Sequence, residues 1–131
     1  MSTLEENLKK VNALYKLEKD WNLYDADPVD KNIVYTVEQI LPKLNKQPDE
    51  IFPTAANSVQ IEYHMDKMYL EIEFGENRID WLAQLKNPES ALDDTTDIPG
   101  FLSYQFEYIP SINKLIEIYS KYDWWNPSHI F

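Results

Sequence analysis

The segment Val59–Phe74, VQIEYHMDKMYLEIEF, carries the clearest strand pattern of the chain. Apolar residues occupy every second position on both sides of Asp66–Lys67, a pattern typical of strands with one buried face. If Asp66–Lys67 forms a two-residue turn, the apolar sets of the two halves lie on the same face, as antiparallel register requires. The segment therefore predicts a β-hairpin. Its facing pairs are Tyr63 and Leu70, Ile61 and Ile72, and Val59 and Phe74.

The chain after the hairpin predicts a continued meander and a closing helix. Gly75–Asn77 is expected to form a second turn, and Arg78–Ala83 a third strand. The following stretch, Asn87–Gly100, contains acidic but no basic residues and predicts an acidic loop. Phe101–Ile109 is rich in aromatic residues, and we favour a fourth strand over a helix there. Ser111 is expected to cap a C-terminal amphipathic helix.

The chain before the hairpin begins with an amphipathic helix. Apolar residues recur at helical spacing in Thr3–Lys19, which predicts a helix over this range. Thr3 and Glu6 have the spacing of a capping box, in which each side chain bonds a backbone amide of the first turn.

A second helix is predicted to begin in Pro28–Asp30, because either end of that range suits a first helical turn. Its apolar pattern continues to Leu44, but Pro42 lies inside the pattern. A proline ring displaces a backbone hydrogen bond, so the helix is expected to end or kink near Leu41. Gln47–Asn57 contains two prolines and is expected to be an ordered loop that leads to the sheet.

The chain has 131 residues, of which 44% are apolar and 14% aromatic. This length and composition fit a single domain, residues 1–131, with one hydrophobic core. The order of helix, helix, meander and helix predicts an α+β fold. We expect an antiparallel sheet of three to four strands, with two N-terminal helices and one C-terminal helix packed on one face.

Charge and composition restrict the expected partners. Twelve basic and 23 acidic residues give a formal net charge of −11, which repels nucleic-acid phosphates and anionic lipids. We therefore expect no direct nucleic-acid binding and no membrane binding, and a basic protein as the partner if there is one. The charge would equally keep a protein soluble without any partner. The absence of a signal-peptide pattern, of a long apolar run and of cysteine favours a cytoplasmic location.

No catalytic motif is present in the sequence. The chain has two glycines, too few for a glycine-rich phosphate loop, and no cysteine for thiol chemistry or thiolate metal sites. His64 and His129 lack a serine or acid at the spacing of a catalytic triad. We therefore expect no catalytic residue, no cofactor and no enzymatic activity.

Acidic residues on the outer face of the hairpin are the first candidate site. The predicted register places Glu62 opposite Glu71, and Gln60 opposite Glu73, although like charges in facing positions destabilise a sheet. Three explanations remain open: a solvated face, a cation site together with His64, or a contact surface for lysine and arginine of a partner. The cation site is the least favoured of the three, and no metal is expected.

Two further groups are candidates. The acidic loop offers Asp93, Asp94 and Asp97 as additional partner contacts. Four aromatic residues near acids are candidate anchors, through core packing, a protein interface or stacking on a sugar ring. They are Trp21, Tyr24, Trp124 and Trp125.

The stretch Trp21–Pro28 has the pattern Trp-x-x-Tyr-x-Ala-x-Pro, and it is followed by a helical pattern over Ile33–Leu44, by Pro53 and by the acidic hairpin. Residues 21 to 74 thereby resemble a loosely defined group of small uncharacterised bacterial proteins. This resemblance implies a bacterial or phage origin and an α+β core. It implies no activity and no catalytic residue.

The leading hypothesis from the sequence is a non-enzymatic protein-binding module of the kind found among immunity proteins, antitoxins and phage inhibitors. Glu62, Glu71 and Glu73, or else the acidic loop, would contact a basic partner. The alternative is a small ligand-binding domain or enzyme with a pocket walled by the four aromatic residues. The sequence leaves the oligomeric state open.

Overall fold

The structure, a computed structural model, describes residues 2–23, 26–65, 68–86, 95–102 and 108–120. Over these residues it contains three α-helices, one short 3-10 helix and a five-stranded sheet. The helices are α1 (Leu4–Leu14), α2 (Lys31–Ile40) and α3 (Tyr108–Ser120), and the 3-10 helix is Leu41–Lys43. The strands are β1 (Glu50–Thr54), β2 (Ser58–His64), β3 (Met68–Gly75), β4 (Arg78–Lys86) and β5 (Thr95–Leu102).

The sheet is an antiparallel meander in the order β1-β2-β3-β4-β5. Its central hairpin, β2–β3, has the predicted register: Tyr63 faces Leu70, Ile61 faces Ile72 and Val59 faces Phe74. The predicted turn Asp66–Lys67 lies outside the described residues. The residues that flank it are joined by a hydrogen bond in which the backbone N–H of Met65 donates to the carbonyl of Met68 at 2.8 Å. The period of two in the sequence therefore sets the pairing of the two strands.

One face of the sheet carries the hydrophobic core, and the three helices pack on this face. Apolar residues of α1, α2 and α3 join those of β1 to β4 in a single buried cluster. The predicted α+β class, with helices on one face of an antiparallel meander, is thereby confirmed. The largest fully buried side chains of the sheet are Tyr63, Phe74, Ile61, Met68, Leu70, Ile72 and Ile79. In the part of the chain that the structure describes, no helix is long and apolar enough to cross a lipid bilayer.

Helix α1 begins as predicted and ends earlier than predicted. The Thr3 hydroxyl accepts a hydrogen bond from the Glu6 backbone N–H at 3.2 Å, which satisfies an amide that has no partner within the helix. The helix ends at Leu14 rather than near Lys19. After Leu14 the backbone tightens into three-residue turns, in which Leu17 N–H donates to the Leu14 carbonyl at 3.3 Å.

Helix α2 ends where Pro42 predicts it to end. The Asp30 side chain accepts from Asn32 N–H at 2.7 Å and caps the first turn. The α-helix stops at Ile40, and Pro42 lies in the 3-10 helix that follows. Asn113 of α3 then holds this end, because its amide oxygen accepts from Asn45 N–H at 2.8 Å. Its amide nitrogen donates to the Lys43 carbonyl at 3.0 Å.

Two regions expected to be loops contain strands. Residues 50–54 of the expected loop Gln47–Asn57 form β1, and residues 95–100 of the expected acidic loop belong to β5. The sheet therefore has five strands, one more than the upper expected number. Each of these strands contains a proline, Pro53 in β1 and Pro99 in β5. Proline lacks the backbone donor that a central strand needs, and β1 and β5 are the outermost of the five strands.

The expected fourth strand over Phe101–Ile109 is wrong in position. Strand β5 ends at Leu102, residues 103–107 lie outside the described part of the chain, and α3 begins at Tyr108. Ser111 is consequently inside α3 rather than its N-cap. Pro110 occupies the first turn of α3, where a missing N–H breaks no helical hydrogen bond.

Truncation of Ile72 tests the position of the core. Ile72 is fully buried in the middle of β3. Ile72→Ala is expected to lower the free energy of unfolding by about 2–5 kcal/mol, and Ile72→Val by about 0.5–1.5 kcal/mol, because the cavity grows with the number of carbons removed. Urea unfolding at pH 7 measures both. Equal and small losses would contradict the assignment of Ile72 to a packed core.

Burial of Tyr63 predicts a loss of stability at alkaline pH. Burial, and secondarily the nearby carboxyl group of Asp49, raises the pKa of Tyr63 above its ordinary value. The folded state therefore retains a proton that the unfolded state releases near pH 10, so the contribution of Tyr63 is complete below about pH 10 and falls above it. The hydroxyl also donates to the Lys46 carbonyl at 2.7 Å.

We expect the free energy of unfolding of the wild type to fall between pH 9 and 11.5 more steeply than that of Tyr63→Phe. The difference in slope approaches about 1.4 kcal/mol per pH unit above pH 10. Urea unfolding of both proteins across this range measures the slopes. Parallel curves would show that the Tyr63 hydroxyl does not titrate differently in the two states.

Candidate functional site

The face of the sheet opposite the helices carries polar side chains on β1 to β4. Because successive residues of a strand point to opposite faces, the alternation that buries the apolar set places a polar set here. We call this set the polar face. It comprises Glu50, Thr54, Ser58, Gln60, Glu62, His64, Tyr69, Glu71, Glu73, Arg78, Asp80 and Gln84, and the apolar side chains Phe52 and Leu82 lie on the same side of the sheet.

A row of three glutamates crosses the polar face. Glu50 of β1 faces Glu62 of β2, and Glu62 faces Glu71 of β3. In the next row, Glu73 faces Asp80 of β4. The sequence predicted the pair Glu62 and Glu71, which the register confirms. Glu50 was missed because β1 was expected to be a loop.

Glu62 is the most enclosed residue of the row, at 8% exposure. Its Oε2 accepts hydrogen bonds from Gln60 Nε2 at 2.9 Å and from the Tyr69 hydroxyl at 2.5 Å. Its Oε1 lies 3.2 Å from Nε2 of His64. A buried carboxyl group is strongly unfavourable without donors, so these contacts are what makes this position tolerable for a glutamate.

Gln60 separates the acidic side chains. The same amide nitrogen that donates to Glu62 also donates to Oε2 of Glu71. In the adjacent row, the Ser58 hydroxyl donates to Oε2 of Glu73 at 2.5 Å. Donors placed between carboxyl groups offset part of the repulsion that facing like charges cause. Glu62, Glu71 and Glu73 are thereby held in place by neutral donors.

Tyr69 supports Glu62 from the neighbouring strand. Burial, then the hydrogen bond to Glu62 and the nearby carboxyl group of Glu71, raise the pKa of Tyr69 well above its ordinary value. The hydroxyl therefore remains protonated, and a donor, throughout the physiological range. The Tyr69 ring also meets the His64 ring edge-on, with centroids 5.3 Å apart. This contact restricts the orientation of the imidazole.

His64 is fixed at its backbone as well. Its N–H donates to the Asp49 carboxyl group at 2.8 Å, while the Asp49 N–H donates to the Glu62 carbonyl at 2.8 Å. These two bonds extend the pairing of β1 and β2 beyond the last ladder pair, Glu50 and Glu62. The imidazole itself remains about half exposed.

The polar face is acidic. Five of its twelve polar side chains carry a carboxyl group, and one, Arg78, carries a guanidinium. Arg78 Nε lies 2.7 Å from Oδ1 of Asp80, so this positive charge is already paired within the face. Three further carboxyl groups of the polar face, those of Glu62, Glu71 and Glu73, accept hydrogen bonds from neutral donors: Gln60, Ser58 and Tyr69.

Of the other predicted site residues, five lie outside the described residues and two are described. Asp93 and Asp94 lie outside the described residues, as do Tyr24, Trp124 and Trp125. The backbone of Asp97 pairs with Gln84 in β5–β4, so it belongs to a strand rather than to the expected loop. Trp21 is half-buried, and its indole N–H donates to the Asp27 carbonyl at 2.8 Å, which ties the connection before α2.

The hydrogen bond from Tyr69 to Glu62 is testable by a double-mutant cycle. Tyr69→Phe is expected to lower the free energy of unfolding by about 1.5–3 kcal/mol, because a bond to a carboxylate is lost. In a Glu62→Gln background the same change should cost about 0.5–1.5 kcal/mol, since the bond is then neutral. Urea unfolding at pH 7 measures all four proteins.

Tyr35→Phe is the matched control, because Tyr35 is 56% exposed. It should change the free energy of unfolding by less than about 0.5 kcal/mol. Equal losses from Tyr69→Phe in the two backgrounds would contradict the proposed contact with Glu62.

Comparisons with known proteins give no relative for this chain: no protein-family model, no curated protein and no solved structure matches it.

Proposed function

We propose that this chain is a non-enzymatic binding protein whose polar face docks on a basic surface of a partner protein. The observation that carries the proposal is the row of Glu50, Glu62 and Glu71 across three adjacent strands. Each facing pair of like charges destabilises a sheet by up to about 1 kcal/mol. A cationic partner would relieve this repulsion upon binding, which gives the arrangement a use.

The hydrogen bonds within the face support the proposal. Gln60 and Ser58 hold Glu71 and Glu73 in place before any partner arrives. Side chains that are already ordered lose little conformational entropy on association, so more of the interaction energy remains for affinity. A preorganised set of carboxyl groups matches the rigid fork of an arginine guanidinium better than mobile surface acids do.

The members of the row take different roles in this proposal. Glu50 is exposed and would contact the partner directly. Glu62 is buried and would act through its contribution to the local field rather than by contact. Fields of this kind steer oppositely charged partners and raise association rates, an effect that weakens as salt increases.

The partner chemistry that fits is a surface rich in lysine and arginine, such as the nucleic-acid groove of a nuclease. A protein that covers such a groove would inhibit its owner, which is the mode of action proposed here, as for immunity proteins, antitoxins and phage inhibitors. The alternative, a ligand pocket or active site walled by aromatic residues, stays a prediction. Three of its four aromatic residues lie outside the described part of the chain.

The experiment is affinity capture from a lysate of the native host, identification of the retained proteins, and rate measurements with the purified partner. The test variant is Glu71→Gln/Glu73→Gln. The control is Glu5→Gln/Glu18→Gln, which removes the same charge from exposed positions outside the sheet. We expect a basic partner, and an association rate about three- to tenfold lower for the test variant at low salt.

At 0.5 M NaCl the two double variants should associate equally, because the Debye length is then only a few ångströms. Equal rates for wild type, test variant and control at low salt would contradict docking through the polar face. A captured partner whose contact surface is acidic or apolar would contradict it as well.

A further inference from the structure

We infer that Glu50, Glu62 and His64 form a binding site for a divalent transition-metal ion of the zinc type. One ligand atom from each residue lies within 4.8 Å of the other two. The three residues come from adjacent positions: Glu50 faces Glu62 across β1–β2, and His64 follows two residues later on the same face. The inference concerns the chain alone and does not depend on a protein partner.

The separation of two of the ligand atoms already suits a metal. Nε2 of His64 and Oε1 of Glu62 are 3.2 Å apart. Two ligands of a tetrahedral zinc ion, each about 2.0–2.1 Å from the metal, are separated by about 3.3 Å. The third ligand atom lies within 4.8 Å of the other two, and Glu50, which supplies it, is an exposed side chain at the first position of β1.

The hydrogen bonds around Glu62 occupy one carboxyl oxygen and leave the oxygen that faces His64 to bind a metal. Tyr69 and Gln60 both donate to Oε2, so the second oxygen, Oε1, is the one directed at His64. Metal-binding carboxylates are commonly oriented in this way by hydrogen bonds to their other oxygen. Tyr69 additionally contacts the His64 ring, so one residue positions two of the proposed ligands.

The donor set selects the class of ion. One imidazole nitrogen with two carboxylate oxygens suits zinc and similar transition metals, whereas calcium and magnesium prefer oxygen alone. An ion of charge +2 would also neutralise the facing pair Glu50 and Glu62. His64 and Glu50 are accessible to solvent, so a fourth position would remain open to water or to a donor from another molecule.

The test uses the purified full chain after chelator treatment, titrated with Zn²⁺ by calorimetry and with Co²⁺ by visible absorption. We expect one ion per chain and a higher melting temperature with Zn²⁺. The visible absorption of bound Co²⁺ should have the high intensity typical of four-coordinate rather than six-coordinate Co²⁺. His64→Ala should weaken binding on the order of 100-fold. Tyr69→Phe, which alters a positioning residue, should weaken it about tenfold.

Glu73→Gln is the matched control, since it removes a carboxyl group of the same face outside the three ligands, and its affinity should stay within about twofold of the wild type. Glu50→Gln provides a second ligand variant at an exposed position, in case His64→Ala unfolds. Thermal melts in chelator establish that each variant is folded. Equal affinities for wild type, Glu50→Gln and Glu73→Gln, or several weak ions per chain, would overturn the inference.

Discussion

The register of β2 against β3 is the constraint on which the rest of the structure depends. Because side chains alternate along each strand, pairing Ile61 with Ile72 places every apolar residue of the hairpin beneath the helices. The same pairing also fixes which polar residues face each other on the opposite side of the sheet, and it places Glu62 opposite Glu71. The acidic row is therefore a consequence of core formation. Its repulsion is offset in part by donors within the same face, such as Gln60 between Glu62 and Glu71. A slip of one residue would exchange the two sets and destroy both the core and the polar face.

The sequence predicted what depends on local patterns and missed what depends on distant pairing. The hairpin, the Thr3 cap and the stop at Pro42 follow from residues close together in the chain. Strand β1 could not be predicted in this way. Its proline argues against a strand unless the strand lies at the edge of the sheet, and that position depends on residues distant in the chain. Missing β1 also concealed Glu50, and with it both the full glutamate row and its juxtaposition with His64.

Both proposals rest on how the charges of this face are balanced. Neutral donors from Gln60, Ser58 and Tyr69 hold Glu62, Glu71 and Glu73, while Arg78 is paired with Asp80. The face therefore remains acidic while three of its glutamate side chains are held in place. Both proposals use that property, at different ends: a cationic protein surface meets the face as a whole, and a metal ion occupies only the corner where β1 meets β2.

The acidic row is tested most directly by the cross-strand nuclear Overhauser contacts between backbone protons in solution. We expect contacts from Glu62 to Glu71 on one side and to Glu50 on the other, because these residues face each other in adjacent strands. Contacts from Glu62 to residues one position away would contradict it. Such a register would move the glutamates to opposite faces, and no acidic row would exist.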